Sequence, residues 1–158
     1  MIVVVAAAVI ERDGRFLVTR RQKGVYLEGC WEFPGGKCDD GESLTACIRR
    51  ELREELAVDA EVGKDFFTVT HNYADRSVEL HFFHCEVTGE PAPQIGQEMR
   101  WVRREELTTL EFPPADEELI RVLTLGCKPR ATCSAEPLRR ALVVARAFEA
   151  SVGRRASL

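Results

Sequence analysis

Residues 43–57 read as a helix with two faces of opposite chemistry, and that combination limits what can be built around it. Leu44, Ile48 and Leu52 recur at helical spacing, with Cys47 and Leu56 slightly off the line, so one stripe seeks a core. Ser43 is suited to cap the start. Glu51, Glu54 and Glu55 stand at i, i+3 and i+4, so their carboxylates share one face. Like charges at that spacing repel by roughly 0.2–0.5 kcal/mol per pair. Arg50 and Arg53 offset part of this repulsion, and divalent cations would offset more. Hard cations such as magnesium take carboxylate oxygens and can bind phosphate oxygens at the same time. Taken alone, E-x-x-E-E is also compatible with an ordinary solvated acidic face.

The rest of the chain alternates strand and turn signals. Residues 2–10, rich in Val and Ala, read as a buried strand, Asp13-Gly14 as a turn, and residues 15–20 as a second strand that completes a hairpin. A loop carrying Gly24, Gly29, Pro34, Gly35 and Gly36 leads into the helix. Residues 65–71 and 78–87 read as strands, 89–96 as a loop and 99–102 as a short strand. Residues 113–125 read as a helix entered through proline. Residues 126–137 read as a linker, and 136–150 as a helix with Leu138, Leu142, Ala145 and Phe148 on the side that packs.

A length of 158 residues fits one domain, residues 1–125, with a basic linker and C-terminal helix, 126–158, as an appendage. Residues 1–125 carry 15 Lys/Arg against 24 Asp/Glu, and 126–158 carry 7 against 2. The net charge of −4 argues against a general binder of nucleic-acid polymers. The apolar run 2–10 is too short to span a membrane, and no basic residues precede it as in a signal peptide. Cys30, Cys38, Cys47, Cys85, Cys127 and Cys133 show neither C-x-x-C nor zinc-finger spacing, so reduced thiols and a cytoplasmic location are expected. His71, His81 and His84 read as structural or surface groups, because hard cations do not need imidazole.

The longer pattern is more specific. Gly36, Glu42, Arg50, Glu51, Leu52, Glu54, Glu55 and Val58 match in register the Nudix box, G-x5-E-x7-R-E-U-x-E-E-x-G-U, with U a bulky aliphatic. Ala57 stands where the box has its late glycine, which brings strain if the helix exit needs positive φ. Residues 3–125 thus resemble the Nudix hydrolases, which implies an α/β/α sandwich around a mixed sheet, with a catalytic loop-helix-loop. Trp31-Glu32-Phe33-Pro34-Gly35-Gly36-Lys37, Thr19-Arg20-Arg21, Gly96-Gln97-Glu98 and Phe112-Pro113-Pro114-Ala115-Asp116 are similar to segments of the MutT-type nucleoside triphosphate pyrophosphohydrolases.

That resemblance implies roles. Glu54 and Glu55 become metal ligands, Glu51 a ligand or the general base, and Glu98 a further ligand or the base. Gly35 supplies a carbonyl to the metal, expected to be magnesium with manganese as a substitute. Arg50 orients the box glutamates, paired with Glu42. Arg21 meets phosphate, and Phe33 and Arg76 lie near the base or sugar. Asp116 replaces the asparagine that reads oxidised guanine. An ionised carboxylate only accepts hydrogen bonds, which suits an amino-bearing base such as cytosine; protonated, it mimics the amide. The implied reaction is hydrolysis of a small-molecule nucleotide, of the 8-oxo-dGTP or cytidine triphosphate type, to monophosphate and pyrophosphate. Hydrolysis of ADP-ribose or dinucleoside polyphosphates, and a nucleotide-sensing Nudix domain, are the alternatives.

Overall fold

The structure, a computed structural model, describes residues 1–25, 27–72 and 76–125. The linker, the helix expected at 136–150, Cys127 and Cys133 lie outside the described residues. Seven strands run β1 (Ile2–Arg12), β2 (Arg15–Arg20), β3 (Trp31–Glu32), β4 (Gly35–Lys37), β5 (Asp59–Asn72), β6 (Ser77–Thr88) and β7 (Met99–Arg103). Helix α1 (Leu44–Leu56) lies between β4 and β5. After β7 come a 3-10 helix (Arg104–Thr109), a 3-10 turn (Pro114–Asp116) and helix α2 (Glu117–Leu125).

The strands form one mixed sheet in the order β3-β2-β1-β6-β5, with β4 added to β1 and β7 to β2. β1 is the hub. It runs parallel to β6 from Ile2 opposite Ser77 to Ile10 opposite Cys85. It also pairs antiparallel with β4 through Val5, Ala6 and Ala7, and with β2 at its far end. A strand covered on both faces has no reason to alternate polar and apolar residues, which accounts for its unbroken apolar run. Ala6, Ala8 and Ile10 pack with Leu17 and Phe83 against Ile48, Leu52 and Leu56 of α1. Ala7 and Val9 pack with Phe16, Val18 and Phe82 against Leu107, Leu119 and Leu123. The expected α/β/α sandwich is the observed one.

Several elements differ from expectation. β5 begins at Asp59, six residues before the expected 65, and carries register shifts between Val62 and Asp65 and between Asp65 and Phe67. Each shift breaks the period-2 pattern, so the first half of the strand does not read as one. The glycine-rich loop contains β3 and β4, too short to show a period. The last helix starts as a 3-10 turn. Cys30, Cys38, Cys47 and Cys85 are free and buried. Among the described residues no helix is long and apolar enough to cross a membrane.

Candidate active site

The local structure around α1 aims its carboxylates. Ser43 Oγ accepts a hydrogen bond from the Ala46 amide at 3.2 Å, fixing the first turn. Ala57 ends the helix at φ 53°, ψ 37°, and its N–H donates to the Arg53 carbonyl at 3.1 Å. The exit therefore does need the left-handed conformation, and alanine holds it at a cost of about 1 kcal/mol. On the other side, Gly35 has φ +153°, and a Cβ there would lie 2.2 Å from the Ala6 carbonyl oxygen. A Cβ on Gly36 would lie 2.5 Å from the Glu51 carboxyl. These two glycines let one thin loop touch β1 on one side and Glu51 on the other.

Arg50 organises the cluster. Its Nε and Nη2 donate to the two oxygens of Glu42, each at 2.9 Å, its Nη1 to Glu51 Oε1 at 2.7 Å, and its Nη2 to the Lys37 carbonyl at 3.1 Å. The guanidinium fork holds the Glu42 carboxyl down at about 2. Glu55 shows the opposite effect. Burial first, then the charges of Glu51 and Glu32, push it up to about 8, although the Gly35 amide donates to it. Glu51, Glu54 and Glu55 offer only oxygen donors, the chemistry that a hard divalent cation takes, although their carboxylate oxygens are not gathered within 4.8 Å of one another, and the residues present fit such an ion by donor type.

Two adjoining cavities meet here. A polar one of about 340 Å³ is lined by Thr19, Arg20, Glu51, Glu55 and Gln97 among others. An apolar one of about 350 Å³ is lined by Val5, Phe33, Leu80, Phe82, Pro113, Ala115 and Asp116 among others. Arg21, Glu32, Gly35, Gly36 and Lys37 line both. Phe33 is buried, stacked on Phe112 at 5.6 Å and edge-on to Phe82 at 6.3 Å. Asp116 is 6% exposed, and its carboxyl accepts no hydrogen bond from any described residue. Burial and then the charge of Glu32 push it up to about 7. A larger open hollow of about 720 Å³, beside the β5 bulge at Glu11, Arg49, Glu61 and His84, holds none of the expected site residues.

The structure brings together Glu51, Glu55, Arg50, Gly35, Arg21, Phe33 and Asp116. Gly35 meets Glu55 through its amide, where the resemblance implied its carbonyl on the metal. Glu54 sits at the exposed edge of the cluster, 3.4 Å from Arg50. Glu98 is not brought in. Its carboxylate is turned onto Arg20 at 3.2 Å and Arg100 at 2.7 Å, and the neighbouring Gln97 faces the cavity instead. Arg76 lines neither cavity. Glu32 is the residue the sequence reading passed over. It binds Arg21 at 2.6 Å at the boundary of the two cavities. Its place inside Trp31-Glu32-Phe33-Pro34 was the available signal.

A mixed sheet between helices, with a carboxylate-bearing helix set against a glycine-rich loop, defines a class of hydrolases that act with a divalent cation. The family model described as NUDIX domain matches residues 5–122. The CTP pyrophosphohydrolase of Escherichia coli (strain K12) is 36% identical over 117 residues, covering 73% of this chain and 87% of that protein. The 8-oxo-dGTP diphosphatase of Haemophilus influenzae is 35% identical over 124 residues, covering 77% of this chain and 91% of that one. The solution structure of the E. coli ORF135 protein aligns with a TM-score of 0.69 at 34% identity, covering 85% of this chain and 95% of that one. This chain belongs to the Nudix hydrolase family.

Proposed function

We propose that the chain hydrolyses a modified nucleoside triphosphate, 8-oxo-dGTP foremost, to the monophosphate and pyrophosphate, using magnesium. The observation that carries this reading is the junction of a polar, carboxylate-lined cavity with an apolar, aromatic one through a shared wall. A nucleotide divides in the same way, into an anionic phosphate chain and a flat base. Relatives named for 8-oxo-dGTP and for CTP support the substrate class.

Glu51, Glu54 and Glu55 would hold the cation, which when bound neutralises phosphate charge and makes water a better nucleophile. Arg50 fixes Glu51 and Glu42. Arg21, held by Glu32 at the boundary, meets the phosphate nearest the sugar. Phe33 packs on the base. Glu51, pressed against Gly36, takes the proton of the attacking water. Glu98, neutralised between two arginines, is a weaker candidate for that role. Protonated Asp116 donates to one oxo group of the base. A second reading, hydrolysis of a cytidine-type triphosphate, is favoured by the carboxylate itself, which when ionised accepts from an amino group. Residues 126–158 are an appendage to this unit.

The test is release of pyrophosphate, rather than phosphate, across 8-oxo-dGTP, dGTP, CTP, 5-methyl-dCTP, dATP and ADP-ribose with magnesium. Preference for 8-oxo-dGTP is the expected result, and preference for ADP-ribose would overturn the substrate class. Glu54→Gln is expected to lower kcat about 100-fold or more, and Glu98→Gln by less than about 10-fold. Near-normal turnover by Glu54→Gln would sink the cation assignment.

A further inference from the structure

Cys38 and Cys47 form a thiol pair that the proposed hydrolysis does not use. Cys38 follows β4 and is 8% exposed, and Cys47 lies in the first turn of α1 and is fully buried. One sulfur from each and a carboxylate oxygen of Glu42 all lie within 4.8 Å of one another. Cys47 Sγ donates to the Gly36 carbonyl at 3.6 Å.

We propose that Cys38, Cys47 and Glu42 form a binding site for a thiophilic d10 cation of the zinc type, separate from the oxygen-only carboxylates of Glu51, Glu54 and Glu55. In a tetrahedral zinc site, sulfurs at about 2.3 Å and oxygens at about 2.1 Å from the metal lie about 3.5–3.8 Å from one another. The trio therefore needs a closure of at most about 1 Å, within the reach of side-chain rotation, and the fourth position stays open for water. As two metal–sulfur bonds form, two thiol protons leave to solvent, and no electrons move. Two thiolates and one carboxylate around a divalent cation leave one net negative charge. Arg50, 3.9 Å from Cys47 Sγ and bonded to both Glu42 oxygens, is placed to balance it. Ligand softness then sorts the metals, because thiolates select zinc-like ions and magnesium takes oxygen.

Occupancy would reach the site next door. Cys47 loses the proton it shares with Gly36, and Glu42 becomes divided between the cation and Arg50, which also holds Glu51. The bound ion therefore inhibits hydrolysis, a consequence that rests on the function proposed above, whereas the binding itself does not.

Cadmium is the probe, since a cadmium–thiolate bond absorbs in the near ultraviolet. It is titrated, with excess magnesium, into the full chain carrying Cys127→Ser and Cys133→Ser. The band is expected to saturate at about one equivalent, with affinity falling at least about 10-fold on adding either Cys38→Ser or Cys47→Ser. Cys38→Ala, at the rim of the pair, covers the case in which a change at the buried Cys47 prevents folding. A band of unchanged strength and affinity in the Cys38 variants would overturn the site. In parallel, zinc is expected to inhibit 8-oxo-dGTP hydrolysis by the parent at concentrations at least about 10-fold lower than for Cys38→Ser. Equal sensitivity would overturn the inhibitory coupling. Failure to hydrolyse any nucleotide would overturn the proposed function and leave the cadmium band as the test of this site.

Discussion

Asp116 carries a buried carboxyl with no hydrogen-bonded partner among the described residues, in a wall of Phe33, Pro113 and Ala115. Burial and the charge of Glu32 raise it from 3.8 to about 7. An acid whose folded pKa is raised gives its full stability only below the unfolded value, and that contribution is lost as pH rises through the folded one. The loss thus runs from about pH 4 to pH 7. Asp116→Asn removes the ionisation, so its Tm advantage over the parent is expected to grow from pH 5 to pH 8. A flat difference would contradict the assignment. In the same window the parent is expected to lose preference for 8-oxo-dGTP relative to 5-methyl-dCTP as the carboxylate ionises. Competition assays at pH 6 and pH 8 check this, and the asparagine variant should show no such drift. Ala57 is the second such residue. Ala57→Gly relieves a left-handed alanine and is expected to raise stability by about 1 kcal/mol, or roughly 3 °C in Tm, in thermal unfolding. The sequence made both residues conspicuous as departures from a pattern. It did not show that Glu98 turns onto Arg20 and Arg100, because the direction of a loop side chain is set by partners distant along the chain.

Among the elements, α1 was the most legible. Its apolar stripe, its cap and its carboxylate face all follow one period over thirteen residues. β5 was half hidden by its two register shifts. Its partner β6 carries a clamp that alternation alone could not reveal, reaching Asp65 between the two shifts. His81 Nδ1 is 2.8 Å from Asp65 and its Nε2 is 2.5 Å from Glu79, across and along the sheet. Burial pulls the imidazole down, but the hydrogen bonds and charges of Asp65 and Glu79 outweigh it, and the net shift is upward. Such a group stabilises the fold fully below its unfolded value near 6.5, and that contribution is lost as pH rises through the higher folded value. Urea titrations of the parent and His81→Gln should therefore differ most near pH 6 and converge by pH 9. A gap unchanged between those pH values would show that the clamp is uncharged.

For the whole molecule, the sandwich was implied by the resemblance to the Nudix hydrolases, and the order of strands and helix read from the sequence agreed with it. The cavities were not. Their walls are drawn from within residues 3–7, 19–22, 32–37, 51–55, 78–82, 95–97 and 113–116 among others, and no local period records which of these segments meet. Glu32 shows why. Its importance comes from standing where two cavities join, a property of the assembled sheet.

The parallel ladder between β1 and β6 joins residues 2–10 to residues 77–85. Such a pairing must close most of the described chain into a loop before it gains anything, and sheets built this way nucleate slowly. During synthesis, at about 5–20 residues per second, β1 waits several seconds with the edge that β6 will cover unpaired, while β2 and β4 already lie within reach. Until β6 arrives, the ledge on which β4 and α1 rest has only one of its two flanks. Catalytic competence therefore comes last in the life of a new chain, and a nascent chain halted before residue 85 would expose its most aggregation-prone segment.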